Sequence, residues 1–121
     1  MLNHNQVELI GHVANNPDVR TLADQKKVAN FRMATTESWK NGDERKERTE
    51  WHLLVIWKPA LIDFASTHVK KGAYVRVIAK LQHRKVEKEG EQPDYKTDIV
   101  VRRIDFLEPK AVSSSGEDDA E

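Results

Sequence analysis

The sequence predicts an all-β fold: a five-stranded Greek-key barrel with one helix between the third and fourth strands. Three observations carry this. Five stretches are rich in β-branched and aromatic residues and alternate in polarity. A single segment repeats its apolar residues at helical spacing, opened by a proline and closed by a glycine. The order is three strands, one helix, two strands, in 121 residues, which is length enough for one domain with a real core.

Val7 to Val13 forms the first strand, with Val7, Leu9, Gly11 and Val13 on one face. Gly11 inside it marks a bulge or a close approach by another backbone. Asn15-Asn16-Pro17-Asp18 is a turn cluster. The second strand runs from about Val28 to Thr36, leading out through Trp39. Lys40 to Arg48 reads as a solvated, mixed-charge loop around Asn41-Gly42. The third strand is Trp51 to Trp57; Trp51, Leu53, Val55 and Trp57 share one face, and His52, Leu54 and Ile56 the other. Both faces are apolar, so one serves the core and the other needs a second cover. Pro59 to Lys71 is the helix, with Leu61, Ala65 and Val69 at i, i+4 and i+8, Pro59 at its first position and Gly72 after a cationic last turn. Ala73 to Leu81, running on to Val86, is the fourth strand. Tyr95 to Leu107 is the fifth, with a change of parity at Arg102-Arg103 that suggests a bulge. A five-stranded barrel with a helix in that place is the OB-fold pattern.

Composition narrows the function. Without cysteine there is no disulfide or thiolate chemistry. The histidines have no metal-site spacing, the glycines stand singly, and no nucleophile triad or converging set of carboxylates can be drawn, so an enzyme is not expected and no cofactor or metal is implied. No apolar run reaches the roughly 20 residues of a membrane span, and the first residues lack a secretory or transit pattern; the expected location is cytoplasmic.

The zero net charge conceals a split. From Glu108 onward five acids stand against Lys110, leaving 19 basic and 15 acidic side chains in the body. The expected organisation is a domain over residues 1–108 and a disordered acidic tail over 109–121. A basic body suits phosphate binding without establishing it. The three tryptophans, Trp39, Trp51 and Trp57, fit either ordinary core aromatics or a stacking platform for unpaired bases. A hairpin between the second and third strands puts Trp39 and Trp51 near the same end of the sheet, within reach of one strand of nucleic acid. Lys40, Lys58, Lys71, Arg84 and Lys85, at strand and helix ends, are candidate phosphate contacts.

Specific motifs go further. Leu9-Ile10-Gly11-His12-Val13, Asn16-Pro17-Asp18-Val19-Arg20, Val28 through Trp39, Thr49-Glu50-Trp51-His52, Lys70-Lys71-Gly72, Arg84-Lys85 and Tyr95 through Val101, in this order, resemble the bacterial-type single-stranded DNA-binding protein (SSB) family over Asn5 to Leu107. The resemblance implies an OB-fold homo-oligomer, usually a tetramer, that wraps single-stranded DNA without reading its sequence. It implies base stacking by Trp39, Trp51 and Trp57 and phosphate contacts by Lys40, Lys71, Arg84 and Lys85. Three departures stand out: Val86 where many members carry a tryptophan, an approach to the helix one residue longer at Lys58, and a tail that keeps the acids but ends without an aromatic. That tail would contact replication or repair proteins. Two alternatives stay open: a specialised paralogue of primosomal or mobile-element type, and an OB-fold interaction subunit that binds no DNA.

Overall fold

The structure, a computed structural model, describes residues 1–87 and 89–107; the expected acidic tail lies outside the described residues. The strands are β1 (Val7–Val13), β2 (Asp18–Thr21), β3 (Lys27–Asn41) and β4 (Glu44–Ile56), then helix α1 (Pro59–His68), then β5 (Tyr74–Val86) and β6 (Asp94–Phe106). Their order is β1-β5-β6-β4-β3-β2, and β1 also pairs with β3 through His12↔Ala34 and Val13↔Met33. That last pairing closes five strands into the barrel, while β2 adds only to the Lys27–Asn30 end of β3. β4 and β6 run parallel over Leu54↔Ile99 and Val55↔Val100; the other pairs are antiparallel.

Period-two alternation fills the interior. Phe31 and Met33 of β3, Leu54 and Ile56 of β4, and Val75, Val77 and Ala79 of β5 are fully buried. Helix α1 plugs the barrel with Ile62 and Ala65, and Val69, just past it, is buried as well. No polar or charged residue is buried among the described residues, so the core is a purely apolar one. Gly11 has the close approach its position suggested: a Cβ there would lie 2.1 Å from the carbonyl oxygen of Ala34, where β1 meets β3.

The register shift in the β5–β6 ladder falls between Ile78 and Ala79, whose partners are Arg103 and Val101, so Arg102 is the extra residue of the expected bulge. Two expectations are corrected. Residues 40–48 are not a loop: β3 and β4 stay paired up to Asn41↔Glu44, leaving Gly42-Asp43 as a two-residue turn with Gly42 at φ +68°. Backbone pairing holds this ribbon, and polar side chains on both faces do not oppose it. The helix stops at His68 rather than Lys71, because Val69 is already extended and Gly72, at φ +94°, turns the chain into β5.

Candidate nucleic-acid interface

β4 organises the surface. With Leu54 and Ile56 committed to the core, alternation turns Trp51, Leu53, Val55 and Trp57 outward. Trp51 retains 61% of its accessible area, Leu53 47% and Trp57 41%. Across the ladder, Trp51 faces Ala34, Leu53 faces Arg32 and Val55 faces Asn30. The small Ala34 leaves one side of the Trp51 ring open. Arg32 sits two rungs away on the same face with no ion pair among the described residues, a cation that charge-cluster reasoning passed over because it lies singly inside an apolar run.

Trp39, at 46% exposure, pairs with Lys46. The register separates it from the Ala34–Trp51 pair by five rungs, roughly 17 Å of strand. Alternation also puts the two rings on opposite faces of the ribbon. The expected neighbourhood of Trp39 and Trp51 is thereby corrected: both belong to one hairpin, but a strand touching both must pass around its edge. The parity of an uninterrupted ladder is the reason.

The predicted cations divide into two groups. Lys40 and Lys71 are exposed and make no ion pair among the described residues. Lys40 pairs across the ladder with Arg45, whose guanidinium donates to Ser38 Oγ at 3.0 Å. Two like charges face to face repel, and an anion between them would offset that. Lys71 is anchored through its backbone, whose N–H donates to Asn16 Oδ1 at 2.8 Å, while Asn15 Oδ1 accepts from the N–H of Arg32 at 2.9 Å. The asparagine turn therefore holds two cation-bearing segments in place. Lys58, exposed at the N-cap of α1, is also free of an ion pair among the described residues.

Arg84 and Lys85 are committed elsewhere. Arg84 Nε donates to Asp98 Oδ2 at 2.8 Å, and Lys85 Nζ lies 3.3 Å from Glu87. Val86, at the end of β5, is half-buried opposite Asp94. The nearby exposed aromatic is Tyr95, 72% accessible, across the ladder from Lys85 and therefore on the other face of the hairpin from Val86. Among the described residues no group of three or more His, Asp or Glu side chains is placed to hold a metal ion, and no helix is long and apolar enough to cross a membrane.

Sequence reasoning missed a groove beside Trp57. It is open, about 900 Å³, and lies between the β2–β3 turn, the start of α1 and the outer faces of β5 and β6. Trp57 and Val100 contribute apolar surface, and Lys26, Lys27 and Lys80 supply charge.

The single-strand binding protein family matches this chain over residues 4–107. The chain belongs to that family. The single-stranded DNA-binding protein of Rickettsia typhi is 40% identical over 102 residues, which cover 83% of this chain and 67% of the relative. The Rhizobium meliloti protein of the same description is 38% identical over 100 residues, 81% of this chain and 58% of that one. Among solved structures, the Plasmodium falciparum SSB complex with ssDNA superposes with a TM-score of 0.74 at 32% identity, covering 89% of this chain and 98% of the other. A mitochondrial single-stranded DNA binding protein from S. cerevisiae, Rim1, gives 0.65 at 18% identity over 90% and 100%, a likeness of fold. This family member keeps the OB-fold barrel of those neighbours, with β2 as a short addition to its edge.

Proposed function

We propose that this chain binds single-stranded DNA without reading its sequence, protecting transiently exposed strands during replication, recombination and repair. The observation that carries the reading is that three tryptophans stand half-exposed on a barrel whose core is already complete without them. Exposing that much aromatic surface is costly unless something covers it. Unpaired bases stack on such rings at about 1–3 kcal/mol per base, whatever the base. In this reading Trp39, Trp51 and Trp57 stack bases, and Lys40 and Lys71 contact phosphates. Arg84 and Lys85 contribute after releasing Asp98 and Glu87. The role is binding rather than catalysis, exercised in the cytoplasm on nucleoid DNA, with replication or repair proteins as partners of the acidic tail.

Titration with oligo(dT) tests this. Tryptophan fluorescence should be quenched, and log K should fall with log[salt] by roughly 0.7 per phosphate contact. Unchanged fluorescence and no retention of single-stranded DNA would leave the interaction-subunit reading in its place. The valine at position 86, instead of an aromatic, supports a weaker-binding specialised paralogue as a second reading; a lower affinity with the same salt slope would favour it.

Leu53 and Val55 lie on the exposed face of β4 between Trp51 and Trp57, too far inside the sheet to be ribbon edge. They are assigned to contact with a second copy, in a homo-oligomer of which a tetramer is the expected form. Leu53→Asp should lower the solution mass measured by light scattering while circular dichroism stays unchanged. An unchanged mass would remove Leu53 from any subunit contact.

A further inference from the structure

We infer that Lys26, Lys27 and Lys80 form a phosphate clamp around Trp57, so that the groove there takes a nucleotide with its base on the ring and its flanking phosphodiesters on the lysines. The inference rests on the single-stranded DNA reading above and adds residues to it that no motif indicated.

The three lysines come from separate parts of the chain. Lys26 and Lys27 sit at the turn between β2 and β3, and Lys80 is on the outer face of β5 opposite Val100. None is in an ion pair among the described residues, whereas Arg20, Lys46, Arg48, Arg76, Arg84, Lys85 and Arg103 all are. The groove is thus lined by three unneutralised ammonium groups against one carboxylate, Asp63. Like charges drawn around one concavity repel, and a polyanion supplies what the protein does not. An apolar floor rimmed by cations matches the chemistry of a nucleotide: a flat apolar base and a charged backbone.

The turn that carries Lys26 is built to hold its shape. The Leu22 N–H donates to the Lys26 carbonyl at 2.7 Å, the Gln25 N–H to the Leu22 carbonyl at 2.9 Å, and the Lys26 N–H to Asp24 Oδ1 at 3.2 Å. Gln25 takes φ +74°, the left-handed region that a side chain normally avoids, and its side chain lines the groove. Lys80 is held by its pairing with Val100 of β6, one residue past the last β1 pair, Val7↔Ala79. The backbone that carries the three lysines is therefore set before ligand arrives, which lowers the ordering cost of binding.

The test is the salt dependence of oligo(dT) binding by the full chain carrying Lys26→Gln, Lys27→Gln and Lys80→Gln together. The slope of log K against log[salt] should become shallower by about 2, or roughly 0.7 for each contact removed. Saturating fluorescence quenching should persist, because Trp39 and Trp51 remain. Asp63→Asn should move affinity the other way and raise it at low salt. Lys70→Gln, which removes a lysine beyond the helix C-terminus that donates to the Ser66 carbonyl, should leave the slope unchanged. If the unaltered chain binds with a salt slope and the triple variant keeps that slope, the clamp is wrong and the DNA reading stands. An equal fall in the Lys70 variant would reduce the effect to net charge and overturn the clamp. So would a changed solution mass in the triple variant, which would give the groove to a contact between copies. Failure of the unaltered chain to bind oligo(dT) would remove both proposals together.

Discussion

The two faces of β4 carry the same class of residue to opposite ends. On the inner face Leu54 and Ile56 are fully buried, opposite Phe31 and Ala29 of β3. On the outer face Trp51, Leu53 and Trp57 stay open to solvent, opposite or beside Ala34, Arg32 and the lysine groove. Both faces gain by leaving water, so hydrophobicity alone does not distinguish them. What does is whether the chain itself completes the burial. For the inner face the barrel and α1 do; for the outer face the task falls to whatever binds. A substitution on one face should therefore be read in folding, and on the other in binding.

The sharpest way to break this contrast is Leu54→Ala. It removes a fully buried side chain from the middle of the core cluster and should lower the unfolding free energy by about 2–5 kcal/mol. Urea denaturation would measure it; a loss under 1 kcal/mol would mean that the barrel relaxes around the gap and that the inner face is less committed than its burial indicates. Trp51→Ala should do the reverse, weakening oligo(dT) binding by about 1–3 kcal/mol while melting stays near that of the unaltered chain. If Trp51→Ala melts far lower and binds normally, the ring supports the fold and the two faces of β4 are not functionally distinct.

How much of this was legible depends on how local the determining physics is. The face assignments of β4 follow from strand parity, the bulge from the broken alternation at Arg102-Arg103, and the close approach at Gly11 from a glycine inside a strand. The long β3–β4 ribbon was not legible, because Lys40 to Arg48 has the composition of a loop and its strand character resides in backbone pairing and opposed partners such as Glu37↔Arg48. The relation of Trp39 to Trp51 needed the turn's position to the residue: a Gly42-Asp43 turn fixes parity across the whole hairpin. The lysine groove combines the β2–β3 turn, β5 and the surroundings of Trp57, segments far apart in sequence, and no spacing rule joins them.

The cation at position 84 shows the same limit most clearly and supplies the finest test. Arg84 follows a strand motif, and as a lone sequence feature it reads as a phosphate contact. In the fold its directly opposed residue on β6 is Lys96, and the guanidinium reaches the diagonal neighbour Asp98 instead. The Asp98 side chain is only 16% exposed while Arg84 is 54% exposed, so the pair has one sheltered partner and one available one. With Arg84 open to solvent, the pair contributes on the scale of a surface ion pair, about 0.2–1 kcal/mol. A phosphate competing for Arg84 must first overcome that contribution and leave Asp98 unpaired. Asp98→Asn removes the competitor and a nearby negative charge, so it should strengthen oligo(dT) binding by about 1.4- to 5-fold, the binding equivalent of that energy. The gain should shrink as salt is raised, since screening weakens what the carboxylate opposes. Weaker binding by Asp98→Asn would instead mean that the carboxylate orients Arg84 toward the strand, making the pair part of the interface rather than a restraint on it.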